Sequence, residues 1–224
     1  MLYFIRNLVY NYRKKEPTYF QEVAEMSNWN WSEFQKKMTT IPPRPILLKA
    51  LELFNGFKGY AVELGCGSGV DTIHLINSGW KVYTADGTAD GFEHIKSTIS
   101  KDKLSNVEFI HANFENLVIP DADLVYSSYS IPFCRQEVFD TFWSNIVKAV
   151  KVGGRFAGHL FGEQDGWRNF IDNITLKTKS ETINLFKDFD IEYFDELCED
   201  KPSSNPLIHE IKRWHVFEII AIKK

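Results

Sequence analysis

Two carboxylates and a run of alternating glycines are the residues of this 224-residue chain best suited to hold a charged ligand. Glu63 stands near the end of a short apolar run, Tyr60 to Leu64, that breaks into Gly65, Gly67 and Gly69. Glycines spaced this way let the backbone turn sharply and bring bare amides against a bulky ligand. Cys66 sits inside the loop, where a small side chain suffices, and is grouped with the binding positions without chemistry of its own. Val70, Ile73 and Ile76 then recur at helical spacing. The segment therefore reads strand, tight loop, helix, the opening of a nucleotide-binding βα unit. The first amides of such a helix have no intrahelical partner and can face the ligand. A second strand, about 81 to 85, ends at Asp86-Gly87. A carboxylate at that tip can accept both ribose hydroxyls of an adenosine.

Glycine spacing discriminates between cofactors. Dinucleotide sites use G-x-G-x-x-G, with the third glycine letting the helix pack close under a pyrophosphate. Here the pattern is G-x-G-x-G with valine at position 70, and Glu63 beside the loop disfavours a bare phosphate. Glu63, the glycine loop and Asp86 together resemble motifs I and II of the class I S-adenosylmethionine (SAM)-dependent methyltransferases; the bland reading is a generic Rossmann-like turn. The resemblance implies SAM as cofactor and S-adenosylhomocysteine (SAH) as product. It also implies a seven-stranded, mostly parallel, doubly wound sheet with a C-terminal antiparallel pair. Family motif III places an acidic residue near the adenine amino group; Asn113 stands at the matching position here, where an amide oxygen can still accept. Phe114 follows as an adenine contact.

Strand 4, read at Asp123 to Ser127, leads into Ser128-Tyr129-Ser130. Ligands of open parallel sheets bind beyond the carboxyl ends of strands at the switch in strand order, which strands 1 and 4 flank. Ser127 and Ser128 are therefore expected at the sulfonium end of the cofactor, and Tyr129 and Ser130 next to the acceptor. Tyr129 is the catalytic candidate, its hydroxyl orienting a nucleophile or removing its proton. Trp167, Trp29 and Trp31 are candidate pocket walls, and Arg44 a partner for a carboxylate of cofactor or substrate; for each, plain packing or solvation competes. The stretches His159 to Trp167 and Lys212 to Phe217 are similar to a small-molecule branch that includes the tellurite-resistance methyltransferases.

Positioning these residues requires the alternation of strands and helices that the pattern predicts. Residues 1–43 read as a helical, aromatic-rich extension or lid, and 44–224 as the catalytic domain. Pro42, Pro43 and Pro45 stiffen the junction, the last opening a helix on Ile46, Leu47, Ala50, Leu51 and Phe54. Helix B is expected within 89–100, and strand 3 at Val107 to His111. Phe139, Phe142, Trp143, Ile146, Val147 and Val150 give a clear amphipathic helix. Lys151 to Gly154 read as a turn into strand 5, Arg155 to Phe161. A helix near 180–189 and strands near 190–197 and 213–222 complete the chain, the last two adjacent and antiparallel.

Composition narrows the function classes. A net charge of −4 and the lack of a long basic run disfavour nucleic acid. Three cysteines far apart suit reduced thiols in a cytoplasmic setting, and no leader or membrane span is read. His111, His159, His209 and His215 have no ligand spacing, so no metal is expected. No N-P-P-Y or D-P-P-Y sequence follows strand 4, against the amino-methylating nucleic-acid and glutamine branches. The expectation is methyl transfer to a small molecule by a monomer or homodimer. The rivals are an NAD(P)-dependent Rossmann reductase and a non-catalytic SAM-binding module.

Overall fold

The computed structural model describes residues 38–202 and 211–224. The elements are α1 (Pro45–Glu52), β1 (Tyr60–Leu64), α2 (Val70–Asn77), β2 (Lys81–Asp86), α3 (Asp90–Thr98), β3 (Val107–His111), β4 (Ala122–Ser127), α4 (Gln136–Ala149), β5 (Val150–Phe161), α5 (Lys179–Leu185), β6 (Phe189–Pro202) and β7 (Ile211–Lys223). Short 3-10 turns at Phe114–Asn116, Ile131–Phe133 and Gly166–Asn169 follow β3, β4 and β5 respectively. Among the described residues no helix is long and apolar enough to cross a membrane. Residues 1–37 of the expected extension, with Trp29 and Trp31, lie outside the described residues.

One seven-stranded sheet runs in the order β3-β2-β1-β4-β5-β7-β6. Strands β1 to β5 pair in parallel, and β7 enters antiparallel between β5 and β6. The order reverses between β1 and β4, so a crevice opens beyond their carboxyl ends. Side-chain alternation sends successive residues to opposite faces. Val62 and Leu64 join Phe139, Phe142, Trp143 and Ile146 of α4 on one face. Ala61 joins Ile46 and Leu47 of α1, Leu75 of α2 and Ile95 of α3 on the other. Such fully buried side chains contribute roughly 1.5–3 kcal/mol each. A third apolar cluster, Phe161, Trp167, Ile174 and Val216, lies at the carboxyl edge of the sheet and packs on Tyr129, Phe133 and Trp214.

Two stretches depart from the sequence reading. Lys151 to Gly154 belong to β5: Val150 pairs with Ala122, the register shifts, and Arg155 pairs with Leu124, with Gly153 absorbing the irregularity at φ 78°. The final hairpin is also longer than expected. β5 reaches β7 only as far as Phe161 opposite Val216, whereas β6 and β7 continue pairing to Pro202 opposite Ile211. Beyond Val216 the ribbon overhangs the sheet.

Candidate active site

The loop after β1 folds as its glycines require. Gly65, Gly67 and Gly69 all adopt left-handed backbone, φ 78°, 54° and 79°. Gly65 N–H donates to the Ala85 carbonyl at 2.8 Å, pinning the loop to the end of β2. A Cβ on Gly65 would collide with the Ser130 hydroxyl, and one on Gly69 with Ile95, whereas one on Gly67 would meet nothing within 4 Å. The tight glycines hold the loop to the protein, and the open one faces a cavity of about 620 Å³. That size lies within the roughly 300–1,000 Å³ of small-molecule sites.

Carboxylates line one end of this cavity. Asp86 accepts from Gly67 N–H at 2.8 Å and from Thr88 N–H at 2.9 Å, so it braces the loop from the tip of β2. Glu63 is buried, takes a hydrogen bond from the Thr72 hydroxyl, and is pushed up to about 8 by burial, then by Asp71 and, more weakly, Asp86. Asp71, on the first turn of α2, accepts from the Arg44 amide at 2.8 Å and the Tyr126 hydroxyl at 2.7 Å. Burial pushes the Cys66 thiol well up, so it stays protonated. Gly87, Asn113 and Phe114 form the adjoining wall; Phe114 also packs on Phe142 of α4 at 4.6 Å between ring centres.

The other end is aromatic. Tyr129 sits at φ 54°, a strained position for a tyrosine. Its ring stacks on His159 at 4.0 Å with 14° between planes, and the Arg44 guanidinium lies 5.5 Å from its centre. Burial raises the Tyr129 phenol against the opposing pull of Arg44. His159, 2% exposed, shares Nε2 with Glu218 at 3.1 Å, and burial holds it below the ordinary histidine value. Trp167, Phe133, Phe161 and Trp214 complete this wall, Phe133 meeting Trp167 edge-on at 5.4 Å. Behind it, buried Asp165 accepts from Lys212 Nζ at 2.5 Å, Trp167 N–H at 2.9 Å and His215 N–H at 3.0 Å. This ion pair clamps the overhanging ribbon to the loop after β5.

The fold thus brings Glu63, Gly65, Cys66, Gly67, Asp86, Gly87, Asn113, Phe114, Ser128, Tyr129, Ser130, Trp167 and Arg44 around one cavity. Ser127 and Gly69 do not line it: the Ser127 hydroxyl donates to the Leu64 carbonyl at 2.9 Å, tying β4 to β1, and Gly69 caps α2. Sequence reasoning missed Asp71, Phe133, Phe161, Leu197 and Trp214. An acid two residues past the last loop glycine was a usable signal for Asp71, whereas the aromatics look like core.

Residues 61–154 match the family model of a methyltransferase domain. This match, the strand order and the glycine loop between Glu63 and Asp86 give the chain a methyltransferase domain with the fold of the class I SAM-dependent methyltransferases. Within that class the chain is similar in fold to TehB from Haemophilus influenzae, with a TM-score of 0.68 and 18% identity; the match covers 85% of this chain but only 66% of that one. It is also similar to the 1,6-didemethyltoxoflavin-N1-methyltransferase of Burkholderia thailandensis, solved with 1,6-didemethyltoxoflavin and SAH (TM-score 0.66, 14% identity, 93% of this chain and 91% of that one). The magnesium protoporphyrin IX methyltransferase of Synechocystis PCC 6803, solved with SAH, matches at TM-score 0.61 and 12% identity over 80% of each chain. No curated protein sequence matches the chain.

Proposed function

We propose that the chain methylates a small-molecule acceptor held against the aromatic end of the cavity. The single observation that carries this is the half-open cavity of about 620 Å³ whose lining runs from the glycine loop to Trp167 and Trp214. The residues present suit SAM. Gly67 leaves room where any side chain would intrude, the start of α2 faces the cavity, and Glu63, Asp71 and Asp86 offer negative charge to a cation. When bound, SAM supplies a methyl group activated by an adjacent sulfonium.

The chain's own contribution is to bind, align and dry the site. Asp86 takes the ribose hydroxyls while holding Gly67, and Asn113 with Phe114 takes the adenine. Ser128 and Ser130 border the reacting centre, and the aromatic wall fixes the acceptor in line and excludes water. Tyr129, kept a neutral phenol by burial, donates a hydrogen bond that orients the acceptor. The test is titration with SAM, SAH and NADH, followed by a metabolite screen for methyl transfer. Micromolar SAM and SAH binding with turnover of a small metabolite supports the reading; turnover only on a macromolecule refutes it.

Asp86→Ala should weaken SAM binding by about 1–3 kcal/mol, since a charged acceptor is lost along with its brace on the loop. Unchanged affinity by calorimetry would remove the ribose role.

Glu63 adds a pH signature. With its folded value near 8 against an ordinary 4.5, the folded protein binds more protons than the unfolded chain between those values. The contribution of Glu63 to the stability of the ligand-free protein is therefore fully present below about 4.5 and is lost as pH rises through about 8. A cation beside Glu63 favours the carboxylate, so SAM binding at pH 7 should release close to one proton. Titrations in two buffers of different ionisation enthalpy measure it; zero release in the wild type, or the same release from Glu63→Gln, contradicts the assignment.

A further inference from the structure

Charge and aromatic surface are unevenly divided along the cavity. Glu63, Asp71 and Asp86 occupy the glycine-loop end. At the junction stands Arg44, its guanidinium over Tyr129 and without a carboxylate partner among the described residues. Deeper in, the Lys212 ammonium lies 3.7 Å from the centre of the Trp214 ring and 5.6 Å from those of Phe161 and Trp167. Lys212 is itself buried and is not among the lining residues, so it backs this wall. An aromatic face attracts cations through its quadrupole. A face already spent on one ammonium is a poorer host for a second, and a better one for a neutral or electron-rich ring.

Resting on the small-molecule reading above, we propose that the acceptor is a planar aromatic molecule carrying an anionic oxygen, a carboxylate or phenolate, that pairs with Arg44. Its ring stacks in the space walled by Tyr129, Phe133, Trp167 and Trp214. Such an acceptor gives an oxygen lone pair to the methyl carbon while the S–C bond breaks and its electron pair stays on sulfur. No proton then needs removing. This suits the two titratable groups at the wall: Tyr129 is held as a phenol, and buried His159 stacks on Tyr129 and engages Glu218.

The experiment titrates the wild-type protein, saturated with SAH, with four probes: 4-hydroxybenzoate, cyclohexanecarboxylate, benzamide and benzyltrimethylammonium. The proposal expects 4-hydroxybenzoate to bind roughly tenfold more tightly than each of the others. Arg44→Gln should bring 4-hydroxybenzoate down to the level of benzamide, and Trp214→Leu should reduce both aromatics, with SAH affinity retained in each variant. Equal binding of the saturated acid, or preference for the ammonium probe, overturns the proposal. Loss of SAH affinity in Arg44→Gln with 4-hydroxybenzoate selectivity intact assigns Arg44 to the cofactor carboxylate and overturns the pairing. Absence of SAH binding to the wild-type protein would instead strike the underlying SAM reading.

Discussion

Gly67→Val will abolish measurable SAM binding while the sheet stays folded. The position carries a left-handed backbone, which a β-branched residue tolerates badly, at a cost of about 1–3 kcal/mol. That strain alone does not touch the ligand. The binding loss comes from the side chain, since a Cβ at 67 meets no protein atom and points into the open cavity. Gly153→Val is the matched control. It also has positive φ and free space around its Cβ, but it sits at the irregular start of β5, away from the cavity. We expect comparable destabilisation from both variants, with SAH affinity falling more than roughly 100-fold (about 2.7 kcal/mol) only in Gly67→Val. Similar affinities in the two would refute the loop assignment.

Lys212→Met should be the most destabilising single change at the aromatic end. Methionine keeps much of the lysine's length and packing against Trp214, but leaves Asp165 with two backbone amides and no counter-charge. Removing one partner of a buried ion pair costs about 3–5 kcal/mol. For a chain of this size that lowers Tm by roughly 6–20 °C. A loss below about 1 kcal/mol in urea denaturation would show that the pair is solvated and does not clamp the ribbon.

The glycine-loop end of the cavity was legible in the sequence because its requirements are local. Three glycines with positive φ, an acid before them and an acid at the next strand tip all lie within Glu63 to Asp86. The helix read at Phe139 to Val150 was nearly as plain, since one face of α4 carries its large apolar residues, although Val150 itself opens β5. The aromatic end was not legible. Glu199, Asp200 and Lys201 are consecutive charges where the ribbon has left the core, so no alternating pattern marks Leu197 to Pro202 as strand. Phe133, Phe161 and Trp214 converge only through pairings between distant segments. The Asp165–Lys212 clamp spans 47 positions, and neither residue announces a partner. Asp165 caps the short turn at Trp167, and its pairing with Lys212 became visible only in the fold.

The overhanging half of the β6–β7 ribbon has a consequence for how such a protein changes over generations. From Glu199 to Pro202 and from Ile211 to Trp214 the two strands pair only with each other. Adding or deleting one residue in each would turn the same side chains outward, whereas changes by two in each preserve which residues face inward. The lining that Lys201 and Trp214 give the cavity can therefore change in paired steps at the free end of a hairpin, while the glycine loop and its acids stay anchored in the parallel sheet.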